Sequence, residues 1–138
     1  MFLNNETDYA VRIVATLAKH NERVDAAKIA EETGVPQRFA LKILHRLVGG
    51  NIVKSFKGNK GGYLLARPAN EITVLEVVEE IYGPLTLNRC KHDGNCGCTH
   101  PNGFCEFKDV FSDVTTYIRC KLSHVNFAHN LPEKMGDK

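Results

Sequence analysis

The sequence predicts a mainly α-helical fold with one small β-hairpin and a long helix towards its C-terminus. Three observations carry that expectation. Apolar residues recur at helical spacing in several stretches; a single glycine-rich pentapeptide separates two short runs of β-formers; and one apolar stripe of about twenty residues begins at Glu106. At 138 residues the chain suits one compact domain with an appended element, and it can bury a core without disulfides or a metal.

The elements follow in order. Ala10, Val11, Ile13, Val14, Leu17 and Ala18 place a first helix over about Asp8 to Lys19. Asp25 can cap a short second helix through Ile29 and Ala30, which Gly34 ends. Pro36 suits the first turn of a third helix, whose apolar face is Ala40, Ile43, Leu44 and Leu47 and which Gly49-Gly50 closes. Ile52 to Lys57 and Tyr63 to Ala66 read as strands, with Gly58-Asn59-Lys60-Gly61-Gly62 as the hairpin tip. Thr73-Val74-Leu75-Glu76 is a capping box for a fourth helix that runs to about Tyr82 and stops at Gly83-Pro84. Leu87 to Phe104 lacks periodicity and reads as loop. From Glu106, the residues Phe107, Val110, Phe111, Val114, Tyr117, Ile118, Leu122 and Val125 give the long helix its stripe. Such a stripe calls for a partner surface, on its own domain or on a second copy of the chain.

Three helices and a hairpin in this order are those of a winged helix-turn-helix. The expected organisation is a winged helix-turn-helix domain over 1–84, a cysteine-rich loop over 85–105, a dimerisation helix over 106–130 and a frayed tail over 131–138. No apolar run approaches the length of a membrane span, and the N-terminus lacks the pattern of a secretory signal; the expectation is a cytoplasmic protein with no membrane partner. No nucleophile–base constellation or phosphate loop is present, so no enzyme is expected.

The net charge of +2 hides an asymmetry. Residues 19–67 carry ten lysines and arginines against four acids, whereas residues 68–138 carry seven against ten. A basic block in a nearly neutral chain attracts a polyanion, although a solvated charged surface would look the same on charge alone. The order of elements points to double-stranded DNA. The third helix would enter the major groove, braced by the second. Gln37 and Arg38 in its first turn are candidates for base edges, together with Leu41. Lys42 and Arg46 suit phosphates, which give affinity without sequence information. Lys57, Asn59 and Lys60 at the hairpin tip can approach a sugar–phosphate wall or a minor groove, with glycines allowing the close approach. His45 reads as packing or solvent-facing, and Tyr63 as core.

Four of the five cysteines, Cys90, Cys96, Cys98 and Cys105, fall within sixteen residues. Thiolates are soft ligands suited to an iron–sulfur cluster or zinc. The spacing C-x5-C-x-C-x6-C departs from the paired C-x2–4-C of structural zinc sites, although His92 and His100 could complete one, and free or redox-active thiols are a third reading. Neighbours separated by one residue seldom both bind one ion, which leaves Cys96 and Cys98 as alternatives. Cys120, on the striped helix, reads as a buried or half-buried small hydrophobe.

The chain resembles the Rrf2 family of bacterial transcription regulators over about residues 1–125. The resemblance rests on Gly58-Asn59-Lys60-Gly61-Gly62-Tyr63-Leu64-Leu65-Ala66-Arg67-Pro68, on Ile72 to Val78 with Ile81-Tyr82-Gly83, and on Thr7-Asp8-Tyr9-Ala10-Val11-Arg12. It implies a homodimer crossed through the long C-terminal helices, reading a two-fold-symmetric operator, with an iron–sulfur cluster on the loop before that helix. Three loop cysteines would hold the cluster: Cys90, Cys105, and either Cys96 by its spacing from Cys90 or Cys98 by its spacing to Cys105. In IscR-like members a His follows the last cysteine, but here the stretch is Glu106-Phe107-Lys108. In NsrR-like members an Asp near the N-terminus of the other subunit completes a 4Fe–4S cluster, and Asp8 stands at that place. The resemblance therefore implies 4Fe–4S rather than 2Fe–2S; read by itself, Asp8 is an acid favoured by a helix N-terminus. The expected function is a cluster-dependent regulator, a repressor, sensing nitric oxide, redox state or iron–sulfur status. The alternative is a cluster-free or zinc-stapled winged helix controlled by a protein partner.

Overall fold

The computed structural model describes residues 4–87 and 106–128. The described elements are α1 (Asn5–His20), α2 (Ala26–Thr33), α3 (Gln37–Gly49), β1 (Val53–Phe56), β2 (Gly62–Leu65), a 3-10 turn (Ala69–Glu71), α4 (Val74–Tyr82) and α5 (Glu106–Ser123). This is the winged-helix arrangement expected, with the long helix after it.

Local chemistry sets most boundaries. α1 begins three residues earlier than its apolar rhythm indicates, because the Asn4 side chain accepts from the Thr7 amide at 2.9 Å and caps the helix. Asp25 caps α2 by accepting from the Lys28 amide at 2.7 Å, and Gly34 ends it at φ 75°. Pro36 precedes α3 as its N-cap and does not occupy the first helical position. The capping box of α4 is half made. Thr73 Oγ1 accepts from the Glu76 amide, but the Glu76 carboxylate pairs with Arg67 instead of reaching back to Thr73.

The core lies where α1, α3 and α4 meet. Ile13, Val14 and Leu17 of α1 pack with Ile43, Leu44 and Leu47 of α3 and with Val77 of α4, all essentially fully buried. Each such side chain contributes on the order of 1.5–3 kcal/mol by leaving water. α2 joins through Ile29 and is held to the end of α1 by His20 Nε2 and Glu32 Oε2 at 2.5 Å. That hydrogen bond holds the Glu32 carboxyl below its ordinary range.

β1 and β2 pair antiparallel, Val53 opposite Leu65 and Phe56 opposite Gly62. Tyr63 is half-buried against the core, as expected, and exchanges two backbone hydrogen bonds with Val24, at 2.8 and 3.0 Å. The strand base is thus fixed to the segment between α1 and α2. Gly62 is required here: its φ is +150°, and a Cβ would stand 2.9 Å from the Val24 carbonyl oxygen.

The chain beyond α5 departs from expectation. Val125 leaves the helix, and its carbonyl accepts from the Val74 amide at 2.9 Å. Phe127, 1% exposed, enters the core, and its amide points at the carbonyls of Ala69 and Ile72. The end of α5 is therefore tied to the winged helix. Among the described residues no helix is long and apolar enough to cross a membrane.

Candidate functional site

The exposed side of α3 is built by periodicity. With Ala40, Ile43, Leu44 and Leu47 turned inward, Gln37, Arg38, Leu41, Lys42 and His45 emerge on the opposite side, all exposed. Gln37 and Arg38 occupy the first turn, and the Arg38 guanidinium lies 5.0 Å from the Phe39 ring centroid. Lys42 and Arg46 carry an internal partner that the sequence did not signal. Glu6 of α1 sits 3.0 Å from Lys42 Nζ and 3.8 Å from Arg46 Nη1. Arg46 also donates to the Glu80 carbonyl at 3.2 Å.

The wing presents Lys57, Asn59 and Lys60, all exposed. Gly61 makes this tip possible, since a Cβ there would lie 2.5 Å from the Phe56 carbonyl oxygen. Arg23 braces it: the guanidinium stacks 3.8 Å above the Phe56 ring centroid and donates to the Lys60 carbonyl. Sequence reading missed Arg23, whose only signal was its membership of the basic block.

Cys90, Cys96, Cys98 and Cys105 lie outside the described residues, as do His92 and His100. What is described is how the flanks are held. Leu85 is buried, and its amide donates to Glu79 Oε2 at 2.9 Å; Arg119 of α5 pairs with the same carboxylate. The Leu87 amide donates to Thr115 Oγ1 of α5 at 3.2 Å. The chain thus leaves for the cysteine segment from the side of α5 and, one residue after Cys105, begins α5 itself.

Asp8 is exposed on the first turn of α1 and pairs with Arg12 at 2.9 Å. It shares a cleft of about 500 Å³ with Asn4, Asn5, Val74, Val78 and Leu122. Leu122 stands sixteen residues beyond Glu106, or about 24 Å along a helix rising 1.5 Å per residue. Asp8 thus lies beside the C-terminal half of α5 and away from the start of that helix.

Cys120 corrects an expectation: it is exposed. Ile118 and Leu122 are half-buried, and a residue two positions from each falls on the opposite side of the helix. Its Sγ lies 3.7 Å from His124 Nδ1. The α5 stripe divides accordingly. Phe107, Val110, Phe111, Val114 and Tyr117 remain exposed in the single chain, at 70, 57, 42, 42 and 63%.

The family model described as "Iron-dependent Transcriptional regulator", Rrf2, matches residues 3–132. The chain belongs to the Rrf2 family. Among its relatives are protein aau3 of Rhizobium meliloti, 34% identical over 71% of this chain, and NsrR of Oceanobacillus iheyensis, 30% identical over 81% of this chain and 77% of that protein. The match to aau3 spans 64% of its length, a little under two thirds. Solved structures with the same fold include IscR of T. potens, with a TM-score of 0.74, 25% identity and coverage of 93% of this chain and 84% of that one. The CymR global cysteine regulator of B. subtilis superposes with a TM-score of 0.76 at 18% identity, covering 93% of this chain and 94% of that one. The family's description is that of transcriptional regulators, and NsrR and IscR among the relatives carry the same description.

Proposed function

We propose that this Rrf2 regulator works as a homodimer that binds an iron–sulfur cluster, of the 4Fe–4S type, and represses transcription from a two-fold-symmetric operator. The single observation that carries the reading is the bare apolar face of α5, from Phe107 to Tyr117, which starts two residues after the last of four clustered cysteines. Pairing two such faces buries them and brings two thiol-rich segments to one interface.

The donor set suits the group. Cys90, Cys105 and one of Cys96 and Cys98 supply soft thiolates. Asp8 offers an exposed carboxylate whose described ion-pair partner is the equally exposed Arg12. Because Asp8 shares a cleft with Leu122, about 24 Å along α5 from Glu106, this reading takes the fourth ligand from the partner subunit. The bound cluster would supply iron able to react with nitric oxide or oxidants, with the hard carboxylate as its labile corner.

The chain's own residues do the reading. Gln37, Arg38 and Leu41 face the major groove, Lys42 and Arg46 the phosphates, and Lys57, Asn59 and Lys60 of the wing the adjacent backbone or minor groove. Asp8 sits on α1, which packs directly on α3. Holding or releasing Asp8 from the other subunit would thus change the spacing of the two reading helices. Air-free protein tested on duplex from its own promoter, before and after cluster destruction, checks this: affinity should change at least severalfold. Colourless protein containing one zinc per chain would favour the zinc-stapled alternative. Metal-free protein with full operator affinity would favour control by a protein partner.

A further inference from the structure

We propose that Glu6 is a built-in competitor of DNA phosphate, a positioning residue that holds Lys42 and Arg46 back and so limits sequence-independent binding. The inference rests on α3 being the reading helix. The Glu6 carboxylate stands 3.0 Å from Lys42 Nζ and 3.8 Å from Arg46 Nη1, joining the start of α1 to the middle of α3. The Lys42 side chain is 60% exposed, so the pair lies at the surface where a phosphate would arrive. The two cations differ in how firmly they are held. Arg46 has a second acceptor in the Glu80 carbonyl, whereas Glu6 is the one acceptor described for Lys42. Lys42 is therefore the side chain that exchanges carboxylate for phosphate.

Two cations and one anion leave this corner with one net positive charge. Contact with DNA then releases fewer counterions than two free cations would. A regulator gains from this arrangement, because weaker non-specific binding raises the ratio of specific to non-specific affinity.

The test is binding of a fluorescently labelled mixed-sequence duplex, followed by anisotropy as salt rises from about 50 to about 200 mM. Glu6→Gln should bind more tightly at the low end, with the log–log salt slope steeper by about 0.9 per subunit. Its advantage over wild type should therefore shrink about 3.5-fold per subunit across that range. Glu6→Asp, which keeps the charge but withdraws it from Lys42, should fall between the two and serves if the glutamine variant is poorly folded. Adding Lys42→Gln to Glu6→Gln should restore the wild-type slope. An unchanged slope in the Glu6 variants, or weaker binding, would overturn the proposal, the latter by showing that Glu6 presents these cations to DNA. Wild-type protein that ignores duplex at low salt would instead defeat the DNA-reading assignment of α3.

Discussion

Phe127→Ala is the substitution that most directly probes how α5 is joined to the winged helix. The ring is among the largest fully buried side chains, and its backbone amide points at the carbonyls of Ala69 and Ile72, 3.2 and 3.3 Å away. Removing it forfeits the transfer free energy of an aromatic side chain and leaves a cavity walled by rigid elements, a loss of about 3–5 kcal/mol. Domains of this size hold about 5–15 kcal/mol in all, so roughly a fifth or more of the stability is at stake. Urea unfolding followed by circular dichroism reads the difference, with wild type and variant at equal protein concentration because the stability of the proposed dimer would depend on it. Val125→Ala is the control; at 38% exposure its change should stay within about 0.5 kcal/mol. A loss below about 1 kcal/mol for Phe127→Ala would show that the ring is not part of the core, and the tie between α5 and the domain would fall.

Three further outcomes follow from the same geometry. Val110→Asp with Val114→Asp alters exposed positions, so the fold should survive; the proposed dimer should not, since two valines lost from each of two subunits, ~6 kcal/mol, weaken association about ten-thousandfold. Light scattering that still finds dimers at low concentration would count against α5 pairing. Arg38→Ala should relax base preference at one operator position, worth about 1–3 kcal/mol, while Lys57→Ala should weaken all duplexes alike and flatten the salt slope by about 0.9 per subunit. The reverse pattern in binding titrations would exchange the roles of α3 and the wing. Gly62→Ala should destabilise the wing base, because a Cβ would press on the Val24 carbonyl; hydrogen exchange at the Tyr63 amide should quicken, and unchanged protection would refute the contact.

The apolar rhythm of α3, the cap at Asp25 and the glycine-rich tip were legible because each is a local pattern with a local cause. The exposed side of α3, the one proposed to face DNA, followed once its core side was known. Phe127 was not legible: a single aromatic past a helix end has no periodicity, and its burial depends on a turn at Ala69–Glu71 far away in sequence. Glu6 escaped for the same reason, since its partners lie 36 and 40 residues on. Asn4 hid in a polar run with no apolar residue to mark the helix start. Cys120 misled because a small sulfur side chain on a striped helix suggests burial, whereas of the stripe's residues near it the structure turns only Ile118 and Leu122 inward. The cysteine cluster is legible only as composition and spacing, which suit a soft metal, since Cys90, Cys96, Cys98 and Cys105 lie outside the described residues.

In the proposed function, thiolates of this chain hold an iron–sulfur cluster that governs duplex binding. Iron and acid-labile sulfide should be measured in protein purified without air, with promoter affinity read on the same sample before and after nitric oxide. The account expects both elements in near-equal amounts and an affinity that drops once the cluster is destroyed. Protein that binds its promoter yet contains neither iron nor sulfide would contradict it.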